Sequence, residues 1–576
     1  MYRGIGASPG GVVGHVCLFL PQKVRISRRP IPPEQTENEI KTLQNALTEV
    51  KKDIHELSLK MNTDKTFASI FDVYELIIED PTVLKQTEDI IRQWNYPAAY
   101  SYSLTLGQML NVIENLPDEL MRSRARDLRD IQRRVVEKLT GQQENILANL
   151  DQECVIVAHD LAPSDTALLK RELVLAIVTE VGSKTSHTTI LAQALNIPAV
   201  VGTTDITQFL QDGDTLLVDG YQGVLIFNPH PVAVEAMQRS WARARTKEQA
   251  QLEAVELPAE TLDGFLATVS VNIEFPEELE QMKKYGGRGV GLYRTEFLYM
   301  NQKELPSEEK QYNIYTEIAR GSLPWSAIIR TVDLGGDKFA SDLDIPTEVN
   351  PYLGLRGIRL SLARRDIFRT QLRAILRASV HGNLRIMFPM ISDAGEVIAA
   401  RKVLDEEKEK LIAEGIPVDP NLQVGVMVEV PSAALTVKLL APHVDFFSIG
   451  TNDLIQYALA VERGNQRIAY LYQPFHPCIL NLIREVIETA HRNYLWVGLC
   501  GEMAGFPLAV PILIGLGLDE FSVPPRAVPR VKDIIRSLRY EEMRKLTYRM
   551  CELGSEQEII DAIRGSLPRA LIEGIG

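Results

Sequence analysis

The chain has 576 residues, of which 45% are apolar and 24% charged, with a formal net charge of −14. That length exceeds what one hydrophobic core supports and points to three or four units at about 100 to 200 residues each, while the balanced composition excludes a disordered or fibrous chain. The acidic balance excludes nucleic acid as a bulk partner and leaves room for a small anion in a locally basic pocket.

No run approaches the roughly 20 apolar residues needed to cross a bilayer, and Met1 to Gly14 lacks the basic start and apolar block of a secretory signal. The expectation is a cytoplasmic protein without membrane insertion. Cys17, Cys154, Cys478, Cys500 and Cys551 lack the spacing of a zinc site or a disulfide framework and read as free thiols.

In chain order, the opening "GIGASPGGVVGHVCLF" reads as a strand partner for later strands. From Gln22 to Gln143 the pattern is helical, with Leu43, Leu47, Val50, Ile54 and Leu57 forming one apolar stripe. The basic run Arg122 to Arg134, with Asp127 and Asp130 interleaved, reads as a solvated helix face. From Cys154 short apolar runs alternate with turns or helical stretches, as in a compact α/β domain. Val232 to Leu257 contains neither Gly nor Pro and has the helix propensity of a linker. Eight apolar segments then follow, from "ATVSVNI" to "EFSVPP", most of them separated by helical patterns. Their number and the remaining length predict a (β/α)8 barrel with insertions.

Polar residues cluster where these strand runs end: Arg294, Arg330, Glu429, Asn452 with Asp453, and Cys500 with Glu502. In a barrel those ends form one face, the usual place for an active site. Two guanidiniums there, with Arg463 in "VERGN" as a third, suit the carboxylate and phosphate oxygens of a small polyanion. Glu429 and Asp453 are either hard oxygen ligands for Mg2+ or ordinary salt-bridge partners of the arginines. Cys500 is either a general acid or a buried structural thiol.

A second centre is "GSKTSHTTILAQALNIPAVVG". Here His187 follows a strand and a glycine turn and precedes a helical pattern from about Thr188. At a helix start, free N–H groups and the hydroxyls of Thr185, Ser186 and Thr188 suit an anionic phosphoryl group on the imidazole, and a capping or core histidine suits the same position.

The segments "GIGASPG", "RARDLRDI", "TSHTTILA", "GVGLYRTEFLYM", "RTVDLGGDK", "NPYLGLRGIR", "GVMVEVPSAA", "DFFSIGTNDLIQY" and "LCGEMAG" occur in order along nearly the whole chain. In them the sequence resembles the phosphoenolpyruvate-protein phosphotransferases, the enzyme I family of the sugar phosphotransferase system. One departure is Val181 before Gly182, where the family usually carries two glycines. The resemblance implies a swivelling phosphohistidine α/β domain over 1–21 and 144–231, and an inserted helical domain over 22–143 that binds the carrier protein HPr. A helical linker over 232–257 and a phosphoenolpyruvate-binding (β/α)8 barrel over 258–576, through which the protein dimerises, complete the implied organisation.

The resemblance further implies that His187 is phosphorylated through Nε2, and that Arg294, Arg330, Asn452, Asp453 and Arg463 hold phosphoenolpyruvate. Glu429 and Asp453 would bind Mg2+, and Cys500 would protonate the enolate to pyruvate. HPr would dock near Phe67 to Leu84, on Phe71, Tyr74, Ile77 and Ile78 with Glu75, Glu79 and Asp80 as an acidic rim. The rival readings are a nitrogen-type enzyme I serving a carrier paralogue, a pyruvate phosphate dikinase or phosphoenolpyruvate synthase without its ATP domain, and a non-enzymatic scaffold. The start at "MYRGIGASPG" and the filled catalytic positions favour the sugar-type enzyme.

Overall fold

The structure, a computed structural model, describes residues 1–20, 26–60, 74, 77–114, 119–141, 147, 150–162, 165, 169–182, 187–300, 304–335, 350–462, 465 and 467–567. It divides into two compact units, Met1–Arg243 and Ala244–Gly576.

The first unit is built on a mixed sheet of eight strands in the order β1-β8-β7-β3-β4-β5-β6-β2. In chain order these are β1 (Tyr2–Arg3), β2 (Ile5–Ser8), β3 (Gly11–Phe19), β4 (Cys154–Ala158), β5 (Val174–Thr179), β6 (Ala199–Val201), β7 (Thr215–Asp219) and β8 (Val224–Phe227). β3 lies parallel to β4, with Val16 opposite Val155, so the opening segment pairs across the whole helical insertion. Both faces of β4 and β5 are covered, which is why their sequences read as continuous apolar runs.

The insertion carries helices over Thr36–Lys60, Pro81–Trp94, Ala98–Glu114 and Glu119–Thr140. Leu43, Leu47, Val50 and Ile54 enter one core with Ile91, Leu106 and Ile131, as their spacing predicts. The side chain of Leu57 lies outside the described residues. Asp80 caps the Pro81–Trp94 helix, its carboxylate accepting from the N–H groups of Thr82 (2.7 Å) and Val83 (3.3 Å).

The basic run departs from the expected solvated face. Asp127 and Asp130 are buried, and Asp130 pairs with Arg133 at 2.7 Å. Arg133 also holds Asp165, a residue beyond β4, so one guanidinium ties the helical insertion to the α/β portion of this unit. A buried carboxylate requires such a partner, and this network takes four charges off the surface that composition alone assigns there.

The unit boundary falls within the helix Pro231–Glu253, none of whose described residues is buried. In the second unit all eight predicted runs become parallel strands, β10 (Leu266–Ile273), β11 (Val290–Tyr293), β12 (Ala327–Arg330), β13 (Leu384–Phe388), β14 (Gln423–Val428), β15 (Phe446–Ile449), β16 (Trp496–Leu499) and β17 (Glu520–Val523). A short strand β9 (Ala259–Glu260) precedes them, antiparallel to β10. Each of the eight pairs with the next, and β10 pairs with both β11 and β17, which closes the barrel. Leu292, Ile328, Met387, Met427 and Phe446 fill its interior, so it is a packed core with two mouths.

Candidate active site

The carboxyl ends of the eight strands bring most of the barrel residues singled out from the sequence to one mouth. Arg330 ends β12 and is 8% exposed. Its Nη2 donates to Glu296 (2.9 Å) and its Nη1 pairs with Asp333 (3.1 Å). Its Nε is buried and has no acceptor among the described residues. Arg294, which follows β11, donates from Nη1 to Glu274 at 2.7 Å.

Asp333 is the hub. Arg356 grips it with two bonds, Nε to Oδ1 at 3.1 Å and Nη2 to Oδ2 at 2.9 Å. Burial works against ionising Asp333, but Arg356 and Arg330 outweigh it and hold its carboxyl below the usual range.

Glu429, just beyond β14, is 1% exposed. Its Oε1 accepts the N–H of Met390 at 2.6 Å, and its Oε2 is buried without a donor among the described residues. Burial, with Asp333 and Asp453 nearby, pushes its carboxyl well above the usual range, and Arg330 and Arg356 offset this only in part. The salt-bridge reading of Glu429 therefore does not describe it. Two local features hold this geometry. Met390 sits at φ 58°, a conformation costing a non-glycine residue of order 1 kcal/mol, and so turns its N–H onto Oε1. Gly450 leaves the space beside Oε2, since a Cβ there would stand 3.0 Å from that oxygen.

Cys500 follows β16, the seventh barrel strand, and is 3% exposed. The hydroxyl of Ser448 donates to its Sγ at 3.4 Å, and burial pushes the thiol up to about 11. Arg330, Arg294 and Glu429 all lie close enough to act electrostatically on it. Asn452 and Asp453 stand in the first turn of the helix Thr451–Leu459 that follows β15. Asn452 exchanges hydrogen bonds with Glu502, accepting from its backbone N–H at 2.9 Å and donating to its carboxylate at 3.3 Å. Arg463 lies outside the described residues.

His187 belongs to the first unit, where β5, a turn through Gly182 at φ 136°, and then the helix His187–Ala194 follow one another. Thr185 and Ser186 lie outside the described residues, as does the side chain of His187. Thr188 is buried and its hydroxyl faces the carbonyl of Leu161 at 3.5 Å, so it is drawn inward. Half of the expected carrier-docking segment lies outside the described residues, including Phe71 and Glu75. Tyr74 and Ile78 are in the helical core and do not form an exposed contact, because the same apolar stripe that suggested docking is what packs the insertion.

Sequence reasoning missed Asp333, Arg356, Glu296 and Glu274. The first three lie within motifs quoted above, and the available signal was charge: buried arginines at a barrel mouth require carboxylates to balance them.

The chain matches three family models: PEP-utilising enzyme, N-terminal (residues 3–124), PEP-utilising enzyme, mobile domain (150–223), and PEP-utilising enzyme, PEP-binding domain (247–540). Among curated relatives, a phosphoenolpyruvate-protein phosphotransferase of Bacillus sp. (strain S) is 40% identical over 98% of this chain and 97% of its own. One from Staphylococcus aureus (strain MRSA252) is 39% identical over 98% and 99%. One from Geobacillus stearothermophilus is 40% identical over 98% and 97%.

Proposed function

Because the chain belongs to the phosphoenolpyruvate-protein phosphotransferase family, we propose that it passes the phosphoryl group of phosphoenolpyruvate through His187 to a histidine of HPr, so starting the sugar phosphotransferase system. The observation that carries the substrate site is the pair of charged-group valences at the carboxyl mouth, Arg330 Nε and Glu429 Oε2, left buried without a partner among the described residues, beside the likewise unpartnered hydroxyls of Thr331 and Thr451. A guanidinium donor and a carboxyl oxygen left unpartnered in one buried mouth suit an anion and a cation bound together, the cation favouring the ionised form of Glu429 that burial opposes.

In this reading Arg294 and Arg330 hold the carboxylate and phosphate of the substrate, with Asn452 and Arg463 as further donors. Glu429 and Asp453 are the residues that would hold Mg2+, and the unpartnered, buried Oε2 of Glu429 fits such an ion. Mg2+ bound there supplies charge neutralisation at the phosphate oxygens. His187 Nε2 attacks phosphorus, and the bond from phosphorus to the enolate oxygen breaks. The enolate C3 then takes the proton of the Cys500 thiol, giving pyruvate. Burial suits the thiol to this role, since it keeps the proton at neutral pH. The backbone N–H groups at the start of the His187–Ala194 helix would steady the phosphorylated ring.

HPr would then take the phosphate while docked on the helical portion over 22–143, where Glu79 keeps its carboxylate at the surface beside Lys51. The α/β domain over 1–21 and 144–231 would swivel between the two, on the linker 232–257. We place the protein in the cytoplasm, as a homodimer formed through the barrel. Among the described residues no helix is long and apolar enough to cross a membrane.

The test is incubation with phosphoenolpyruvate labelled in its phosphate, with Mg2+, with and without HPr. Acid-labile, base-stable label on the chain that transfers to HPr is the expected result. Label that appears on the chain but never leaves it for HPr would move the carrier assignment to another partner, and absence of label would sink the phosphotransfer reading.

A further inference from the structure

The opposite, amino-terminal mouth of the barrel holds a cavity of about 800 Å³ whose lining includes Arg288, Trp325, Asn383, Arg385, Gln423 and Trp496. These residues stand at or just before the starts of β11, β12, β13, β14 and β16. Barrel strands of 4 to 8 residues separate this mouth from the substrate mouth, which is roughly 13 to 26 Å at about 3.3 Å per residue. The cavity is therefore no extension of the site described above.

Its charges are arranged unlike those of an ordinary salt-bridged surface. The Arg385 guanidinium carbon lies over the Trp496 ring, 4.7 Å from its centroid, and Trp496 is itself stacked on Phe446 at 4.5 Å and 9°. Arg288 lies over Trp325 at 5.2 Å. Among the described residues neither guanidinium is paired with a carboxylate. An arginine held over an indole by a cation–π contact keeps N–H donors available for a bidentate anion.

The acids lining the same cavity are already engaged. Asp519 accepts the N–H of Val497 at 2.8 Å and pairs with His491 at 2.9 Å. Asp419 accepts the N–H of Asn421 at 2.9 Å. Glu520 is buried at the start of β17, where burial pushes its carboxyl up while Arg385 acts electrostatically to lower it.

Two further groups need donors. Asn383 has its amide orientation set by Nδ2, which donates to the carbonyls of Ala319 and Trp325, both at 2.9 Å. Its Oδ1 is left buried without a donor among the described residues, and so is Gln423 Oε1. An unsatisfied buried acceptor costs about 1 to 3 kcal/mol, and two of them on one cavity wall define what an occupant must supply.

We propose that the amino-terminal mouth binds a planar nitrogen heterocycle carrying an anionic group, of the chemistry of a purine nucleoside monophosphate. Its phosphate is taken by Arg288 and Arg385, its ring stacks on the guanidinium–indole surfaces, and its N–H groups donate to Asn383 Oδ1 and Gln423 Oε1. The cavity volume lies within the usual range for ligand sites of about 300 to 1,000 Å³.

The probe is adenosine 5′-monophosphate titrated into the full chain, followed by calorimetry and by tryptophan fluorescence, since two of the four tryptophans line the cavity. Saturable binding with fluorescence change is expected, at least tenfold tighter than adenosine or inorganic phosphate alone. Arg288→Gln and Arg385→Gln should each weaken it at least tenfold while leaving the far-ultraviolet dichroism and the phosphorylation of the chain by phosphoenolpyruvate unchanged. If Arg385→Gln unfolds, Arg288→Gln alone decides. Absence of saturable binding to the folded wild type, binding indifferent to both substitutions, or inorganic phosphate binding as tightly as the nucleotide would each overturn the proposal.

Discussion

At the carboxyl mouth of the barrel Arg294, Arg330 and Arg356 are each gripped by carboxylates, Glu274, Glu296 and Asp333, whereas at the amino mouth Arg288 and Arg385 lie over indoles and, among the described residues, form no ion pair with an acid. For Arg330 and Arg356 the difference follows burial. A guanidinium as deep as Arg330 is intolerable without an opposite charge, so its orientation is settled before any ligand arrives and only selected valences stay open. The arginines at the amino mouth keep contact with solvent, and an aromatic face is enough to orient them. The first arrangement suits chemistry that demands fixed geometry, and the second suits reversible binding.

The largest effect that tests this division is expected from a residue in neither mouth. His187→Ala should abolish phosphorylation of the chain while leaving phosphoenolpyruvate binding to the barrel intact, as measured by labelling and by calorimetry. Label that persists on the variant would remove His187 from the pathway. Next, Arg330→Ala and Arg294→Ala should each lower turnover at least about a hundredfold, the loss typical of a charged clamp on a transferring phosphate. Arg330→Ala should also destabilise the barrel by about 3 to 5 kcal/mol in denaturant titration, because Glu296 and Asp333 are left buried against a missing partner. Near-normal turnover in either variant would show that a carboxylate-gripped arginine is structural only.

Cys500→Ala sharpens the contrast within the carboxyl mouth. Phosphate should still reach His187, but protonation at C3 of pyruvate, followed with isotopically labelled phosphoenolpyruvate in heavy water, should lose its stereospecificity together with most of the overall rate. Fully stereospecific protonation at the wild-type rate would return Cys500 to the role of a packing residue. Burial that pushes the thiol up to about 11 keeps it protonated across the neutral range, so no loss of activity near pH 8 should trace to its ionisation.

The smallest expected effect belongs to the amino mouth. The hydrogen bond to Asp519 raises the pKa of His491 above the ordinary histidine value of 6.5, against the opposing pull of burial. Its contribution to stability is therefore fully present below pH 6.5 and is lost as pH rises through the raised value. The ring is 40% exposed, so solvent screening holds the effect to a few tenths of a kcal/mol. Stability measured from about pH 6 to 8 should fall slightly in the wild type and stay flatter in His491→Gln. An equal fall in both would assign the slope to other groups.

Much of this architecture is legible in the linear order of residues. Period-two and continuous apolar runs mark β10 to β17 because a strand buried on both faces has nowhere to put a polar side chain. The stripe from Leu43 to Ile54 marks a helix face for a like reason. The clustering of Arg294, Arg330, Glu429, Asn452 and Cys500 at strand ends follows once eight parallel strands are accepted, since all eight must end on one side. The same local logic misjudged Asp127 and Asp130, assigned to solvent but buried against Arg133 and its neighbours, and Tyr74 and Ile78, assigned to a docking surface but packed inside. Whether a charged or amphipathic residue faces water or core depends on a neighbour distant in sequence, as Asp165 is for Arg133.

What the sequence determined by itself is thus the set of elements, the closed barrel and the family, all of which rest on residue spacing and on motifs contiguous in the chain. Only the tertiary structure decided which charges are spent on one another and which remain open. Asp333 receives Arg356 from 23 positions away, Glu429 Oε1 receives the Met390 N–H from 39, and among the described residues Glu429 Oε2 has no donor and Arg330 Nε no acceptor. Electrostatic and hydrogen-bond partnership is set by distances of about 3 Å in space, and no periodicity along a chain encodes them.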